Sequence, residues 1–230
     1  MRYQNALFLM DMPSLKNPSF CEKFSGENVL ISCLEDKNLP AKFYKCEIAS
    51  LSFVLALLCK MSDADAFGDL DEGYLSAESC LGEEEAAEIL SFLQTAKYLV
   101  VDENLNATKD GENIKYFLNF LSQKFQLEIL NSGGERCDFK NSKRAALKEL
   151  DNYDGLVLFK VPLQDGYLHC SRQFLSLARC QDKSEVEVEA GGFKFRALLK
   201  LDEALQGTIA LLDNEKLGFD FTQIRIKEAK

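Results

Sequence analysis

The chain alternates short apolar runs with segments whose apolar positions recur at helical spacing. Ala6–Met10 and Val29–Ser32 read as strands, and Ile48–Cys59 (IASLSFVLALLC) as an apolar helix around Leu51, Val54, Leu55 and Leu58. Residues 70–82 (LDEGYLSAESCLG) read as a loop approaching a helix with Ala86, Ile89, Leu90, Leu93 and Ala96 on one face. That helix runs at once into a strand, Tyr98–Val101. The unit repeats, with Ile114, Phe117, Leu118, Leu121 and Phe125 on a helix before the strand Leu127–Leu130. It repeats again as a helix over Ser142–Leu150 and the apolar run Leu156–Phe159. Strands apolar on both faces suit burial between helices. The pattern predicts an α/β layer domain over residues 1–163, with a mostly parallel sheet and helices on both of its faces.

Beyond Pro162 the period changes to two. Glu185-Val186-Glu187-Val188-Glu189 meets Gly191-Gly192 and then Phe193-Lys194-Phe195-Arg196. A two-residue turn at the glycines pairs Glu189 with Lys194, Val188 with Phe195 and Glu187 with Arg196. Opposite charges then share one face and apolar pairs the other. With Leu205–Leu212 and Phe221–Ile226, residues 164–230 read as a small β-rich C-terminal part.

Charge narrows the choice of partner. With 37 acidic against 27 basic residues the net charge is −10, which argues against nucleic acid and anionic membrane surfaces. The apolar run before Asp11 is five residues, too short for the core of an export signal. Ile48–Cys59 is shorter than the roughly 20 residues of a membrane span. Eight cysteines scattered along such a chain read as reduced thiols in a cytoplasmic protein.

Candidate chemistry is sparse. The single histidine, His169, adjoins Cys170, but neighbours on a strand point to opposite faces. No two cysteines stand at C-x-x-C spacing, so a cluster or metal has no seed. Gly133-Gly134 follows a strand, yet Glu135 and Asp138 after it do not fit a phosphate cradle. Asp69, Asp71 and Glu72 could serve acid–base work, while Glu83-Glu84-Glu85 are explained by the positive end of a helix beginning near Ser79 or Gly82. Cys80, just before that helix, sits where a thiol pKa falls, but the nearby acids oppose the fall.

Two longer stretches carry a resemblance. LDEGYLSAES, a helix and AKYLVVDENLNATKDGENIKYFLNFL form one. YDGLVLFKVP, then SRQFLSLARCQDKSEVEVEAGGFKFRALLKLDEALQGTIALL, form the other. Together they resemble the molybdopterin-oxidoreductase-like C-terminal region of the large subunit of bacterial complex I, the NADH-quinone oxidoreductase. In its β-rich part a polar helix, a V-x-V hairpin and an L-x-G-T-I-A-L segment follow one another. The close-set cluster cysteines of that family have no counterpart here, so no cluster ligand, pterin contact or catalytic residue carries over. The resemblance implies a short, cluster-free, non-catalytic subunit of the peripheral arm of a complex I variant, aiding assembly or docking the electron donor. Its partners would be other peripheral-arm subunits and a soluble electron carrier. It would need no cofactor of its own, and it would lie on the cytoplasmic side, held to the inner membrane through those subunits. Two alternatives stand beside it: a flavin-binding electron-input protein of the same complex with its phosphate near Gly133-Gly134, and a free-standing thiol enzyme using Cys80.

Overall fold

The computed structural model describes residues 2–103, 105, 108–163, 165–213 and 220–229. They form two compact units, Met1–Asp151 and Asn152–Lys230. In chain order the first contains β1 (Tyr3–Gln4), β2 (Ala6–Leu9), α1 (Pro13–Lys16), α2 (Pro18–Cys21), β3 (Phe24–Ser25), β4 (Val29–Ser32) and β5 (Lys42–Lys45). There follow α3 (Leu51–Ser62), α4 (Glu72–Ser79), α5 (Glu83–Leu93), β6 (Tyr98–Val101), α6 (Gly111–Phe125) and β7 (Glu128–Asn131).

β2, β4, β5, β6 and β7 make a five-stranded sheet in the order β5-β4-β2-β6-β7. Every pairing in it is parallel. Alternation sorts the strand side chains onto two faces. Leu7, Leu9, Val29, Ile31, Leu99, Val101 and Ile129 join a core with α3, α4, α5 and α6, whereas Ala6, Phe8, Leu30, Val100 and Leu130 pack with Phe20 and Phe24. α3 lies inside the first core, with every residue from Ser52 to Cys59 buried. A helix apolar on every side is stable only when covered on every side.

The layered parallel sheet is as expected, but its cover is uneven. Long helices lie on one face, and the other is closed by α2 and the two-stranded ribbon β1–β3. The chain from β4 to β5 carries no helix. The segment GYLSAES, read as a loop, is helix α4, with Asp71 capping it by accepting from the Tyr74 N–H at 2.7 Å. The expected helix over Ser142–Leu150 is not formed. Side chains of α6 bond its backbone instead, Asn113 Oδ1 accepting from the Ala145 N–H at 2.8 Å.

The second unit contains β8 (Val157–Lys160), β9 (Tyr167–Cys170), α7 (Arg172–Ala178), β10 (Glu185–Ala190), β11 (Phe193–Leu201), β12 (Ile209–Leu212) and β13 (Phe221–Glu228). Its strands close a barrel in the order β10-β11-β9-β12-β8-β13, with parallel pairs β11–β9 and β12–β8. The run Leu156–Phe159, expected in the parallel sheet, thus supplies β8 of the barrel, and the units divide at Asp151 rather than at 163. Leu158, Leu168, Cys170, Val186, Val188, Leu199 and Ile224 fill the interior together with Phe174 of α7. Ser171 caps α7, accepting from the Phe174 N–H at 3.0 Å and donating to the Gly207 carbonyl at 2.5 Å.

The hairpin has the register read from the sequence, with Glu187 opposite Arg196, Val188 opposite Phe195 and Glu189 opposite Lys194. Gly191 and Gly192 take φ of 54° and 85°. A Cβ at Gly192 would meet nothing, and one at Gly191 only Thr222 at ordinary contact distance. A side chain there is therefore penalised by backbone conformation alone. Replacing either glycine with Val should lower stability by about 1–2 kcal/mol. Urea unfolding followed by the barrel's amide signals measures this, and two unshifted midpoints would contradict the turn.

Candidate functional site

From the central strand β2 the chain moves outward through β4 and β5, then crosses back to β6 and β7 on the other side. Open α/β sheets bind ligands outside the carboxyl ends of their strands at such a reversal. The residues that leave those ends are Asp11 after β2, Cys33 after β4, Cys46 after β5, Asp102 after β6 and Ser132 after β7. They form the best-placed candidate site in the first unit.

Its polar groups bond one another. Asp11 Oδ1 accepts from Ser32 Oγ at 2.5 Å, the Cys33 N–H at 3.2 Å and Cys33 Sγ at 3.3 Å, tying the end of β2 to that of β4. Burial pushes the Asp11 carboxyl above its ordinary value, against the opposing effects of the Ser32 hydroxyl and the Lys16 charge. Lys16 of α1 pairs with Asp102 across the reversal. Ser14 donates its N–H and Oγ to Asp36 at 2.7 and 2.6 Å, and Asn17 Nδ2 donates to the Ser132 carbonyl at 3.0 Å. Among the described residues no buried side-chain nitrogen or oxygen lacks a partner. The arrangement is suited to clamping strand ends together. Only the strand ends were legible in the sequence, because the pairing depends on strand order.

Gly133-Gly134 is a turn built by Asn131. The Asn131 side-chain oxygen accepts from the N–H groups of Gly133 at 3.0 Å and Glu135 at 2.8 Å, and its carbonyl accepts from Gly134 at 2.9 Å. A Cβ on Gly133 would stand 2.9 Å from a Glu103 carboxylate oxygen, and one on Gly134 2.8 Å from the Phe20 ring. The amides a phosphate would need are thus engaged, and a carboxylate stands beside them.

The thiols are not activated. Each of the eight is pushed above its ordinary value with burial as the leading cause, Cys21 to about 12 and Cys170 to about 11. Cys80 is exposed, but it ends α4 in the left-handed region at φ 54°, and its Sγ lies 3.9 Å from the Glu47 carboxylate. Burial and then the Glu47 charge raise its pKa. The acidic helix start is as read: Gly82 precedes α5, and Glu85 accepts the Gly82 N–H at 2.9 Å.

His169 and Cys170 diverge. Cys170 is in the barrel core, and its Sγ donates to the Lys200 carbonyl at 3.6 Å. His169 Nε2 contacts Asp165 at 2.9 Å, and Nδ1 lies 3.8 Å from Asp202. Asp165 also holds Lys200 at 2.8 Å. Partial burial raises its pKa, but hydrogen bonds from Lys200, the Tyr167 N–H and His169 outweigh that and hold it near about 2. Asp69 pairs with Arg144, and Asp71 caps α4. Among the described residues no group of three or more His, Cys, Asp or Glu is placed to hold a metal ion. No described helix is long and apolar enough to cross a membrane.

One feature escaped sequence reading altogether. An open groove of about 570 Å³ at the amino ends of β4 and β5 is lined by Asn28, Pro40, Lys42, Tyr44, Glu88 and Phe92 among others. Glu88 accepts from Lys42 at 2.7 Å and from the Tyr44 hydroxyl at 2.6 Å, which spends its polar groups internally. KFYK sets two aromatic residues between lysines and has no apolar run to announce β5, so nothing in the sequence pointed to this corner.

The sequence matches no protein-family model and finds no match among curated proteins.

Two measurements probe these sites. Iodoacetamide at pH 7 should modify Cys80 no faster than it does a simple thiol, and Cys33, Cys46 and Cys59 only on unfolding. Rapid native alkylation of any of them would reveal an activated thiol. Asp11 titrates higher when folded than the 3.8 of an unperturbed carboxyl. Its protonation therefore favours the fold, and that stability is fully present below pH 3.8 and lost as pH rises through the raised value. Asp11→Asn should be more stable than the parent at pH 7, with an advantage that closes as the pH falls towards 4. Urea midpoints across that range would show it, and an advantage growing towards acid would reverse the assignment.

Proposed function

We propose that this chain is a non-catalytic subunit of the peripheral arm of a complex I variant, serving assembly or the docking of an electron donor. The reading rests on the resemblance quoted above, and one observation carries it furthest. The polar helix, the V-x-V hairpin and the L-x-G-T-I-A-L segment of that resemblance correspond to α7, the β10–β11 hairpin and β12, consecutive pieces of one closed barrel. The order that makes the resemblance distinctive is thus also the order that encloses a single core.

The chemistry of the candidate sites agrees with a non-catalytic role. A catalytic group is held ready for a substrate, whereas the switch-point side chains are bonded to each other and burial pushes the thiols above their ordinary pKa. The flavin-binding alternative gains no support from Gly133-Gly134, where Asn131 takes the amides and Glu103 would repel a phosphate.

A permanent subunit needs an apolar patch that a partner can cover, since such interfaces have dry cores. Tyr167 and Leu198 are register partners on β9 and β11, and both side chains are exposed on the barrel's outer surface. A tagged copy drawn from gently solubilised membranes should bring down the quinone-reducing complex. Tyr167→Ser with Leu198→Ser should weaken that recovery about tenfold or more while the barrel stays folded. A tagged protein recovered alone and monomeric, from cells whose complex is fully assembled without it, would end the proposal.

A further inference from the structure

Residues 143–150 read Lys-Arg-Ala-Ala-Leu-Lys-Glu-Leu, and each belongs to the strongest helix-forming types. Ser142 before them is a good cap. Yet none of these residues is helical. The segment instead lies as a strap along α6, its partly buried Leu147 and Leu150 packed against the first unit's core. Such conflict between local preference and tertiary structure needs a compensating force.

The force comes from two buried polar residues at the start of α6, Asp110 just before it and Asn113 in its first turn. Asn113 grips the Ala145–Ala146 dipeptide at both ends, accepting from the Ala145 N–H at 2.8 Å and donating to the Ala146 carbonyl at 3.2 Å. Asp110 orients Asn113, accepting from its side-chain nitrogen at 2.8 Å, and lies 3.4 Å from the Lys148 N–H. Arg144 pairs with Asp69 and places its guanidinium 5.4 Å from the centre of the Phe67 ring. Lys109 holds the far end through the Glu149 carbonyl at 2.8 Å and Asp151 at 2.7 Å.

We infer that Lys143–Leu150 is a two-state latch, extended while Asn113 and Asp110 hold its backbone and helical once they let go. In the docked strap the Ala145 N–H bonds Asn113, and in a helix begun by Ser142 it is a first-turn amide that the Ser142 side chain accepts. Release gives Asn113 and Asp110 to water, and the apolar contacts of Leu147 and Leu150 with the charges at either end decide the population. The strap is the last stretch of the first unit before Asn152, so its release changes the length of chain joining the two units. This inference stands independently of the proposed membership of a respiratory complex.

The test uses the full chain, with amide exchange and Cα chemical shifts of residues 143–150 as readouts. In Asn113→Ala the Ala145 amide should exchange about tenfold faster, and the shifts should move towards helical values. Adding Ala146→Pro should keep exchange fast while returning the shifts to coil, because proline denies the helix but not an extended chain. Should Asn113→Ala fail to fold, Arg144→Ala, which removes only the contacts to Asp69 and Phe67, is read the same way. Unchanged exchange at Ala145 would mean there is no latch, and fast exchange with coil shifts in every variant would mean there is no second state; either overturns the inference.

Discussion

The burial of α3 is the constraint on which the first unit depends. With no residue from Ser52 to Cys59 facing water, the helix can exist only inside a shell. The sheet supplies one side through Leu7, Leu9, Ile31, Leu99 and Val101, and α4, α5 and α6 supply the rest through Leu75, Ala86, Ile89, Phe117 and Leu121. This demand draws the long helices to one face. The other face has less to cover, and a four-residue helix with a two-stranded ribbon suffices, its aromatic rings Tyr3, Phe20 and Phe24 packed with centres within 6 Å of one another, Tyr3 stacked on Phe24 and Phe20 edge-on to both.

A parallel sheet built around one buried helix leaves its strand ends as the place where polar groups must be reconciled. Here the reconciliation is internal. Asp11 is spent on Ser32 and Cys33, and Lys16 on Asp102. A buried acid held above its ordinary pKa is common where chemistry is done. The same direction of shift arises when a carboxyl is simply stripped of water by its neighbours, and Asp11, buried with its Oδ1 taken by Ser32 and Cys33, belongs to that second class. The fold thus retains the position in which its architecture usually binds ligands while using it to fasten strands.

What could be read from the sequence was what is decided locally. The β10–β11 register follows from two glycines and a strict alternation, and both faces of the ladder agree on one pairing. The strands Val29–Ser32 and Tyr98–Val101 are continuous apolar runs, and they are found where they were read. Tertiary partners decided the rest. The run Leu156–Phe159 is as apolar as any strand of the parallel sheet, but the neighbours of β8 are β12 and β13, and periodicity carries no information about that choice. GYLSAES looked like a loop because of its glycine and serines, yet the Asp71 cap and the burial of Leu75 and Ser79 against α3 outweigh weak propensity. Ser142–Leu150 failed the opposite way, with propensity overruled by two side chains at the start of α6, Asp110 and Asn113. The Asp11 cluster was invisible because its members meet only when β2, β4 and β5 lie side by side.

Charge is divided as unevenly as structure. Residues 61–96 contain ten Asp and Glu and no Lys, Arg or His, and they form α4, α5 and their approaches, whose outward faces are exposed. On the barrel the signs alternate instead: Lys194 and Arg196 of β11 flank Glu189 and Glu187 of β10, which in turn face Arg225 and Lys227 of β13. Such a ladder largely cancels its own field close to the surface, whereas a one-signed stretch projects its field out to about a Debye length, roughly 8 Å in physiological salt. The two surfaces therefore differ in how they can meet a partner. Association through α4 and α5 would need a basic face and would weaken with salt, while association through Tyr167 and Leu198 would depend on excluded water and respond little to it. The salt dependence of any complex this chain forms thus reports which surface it uses.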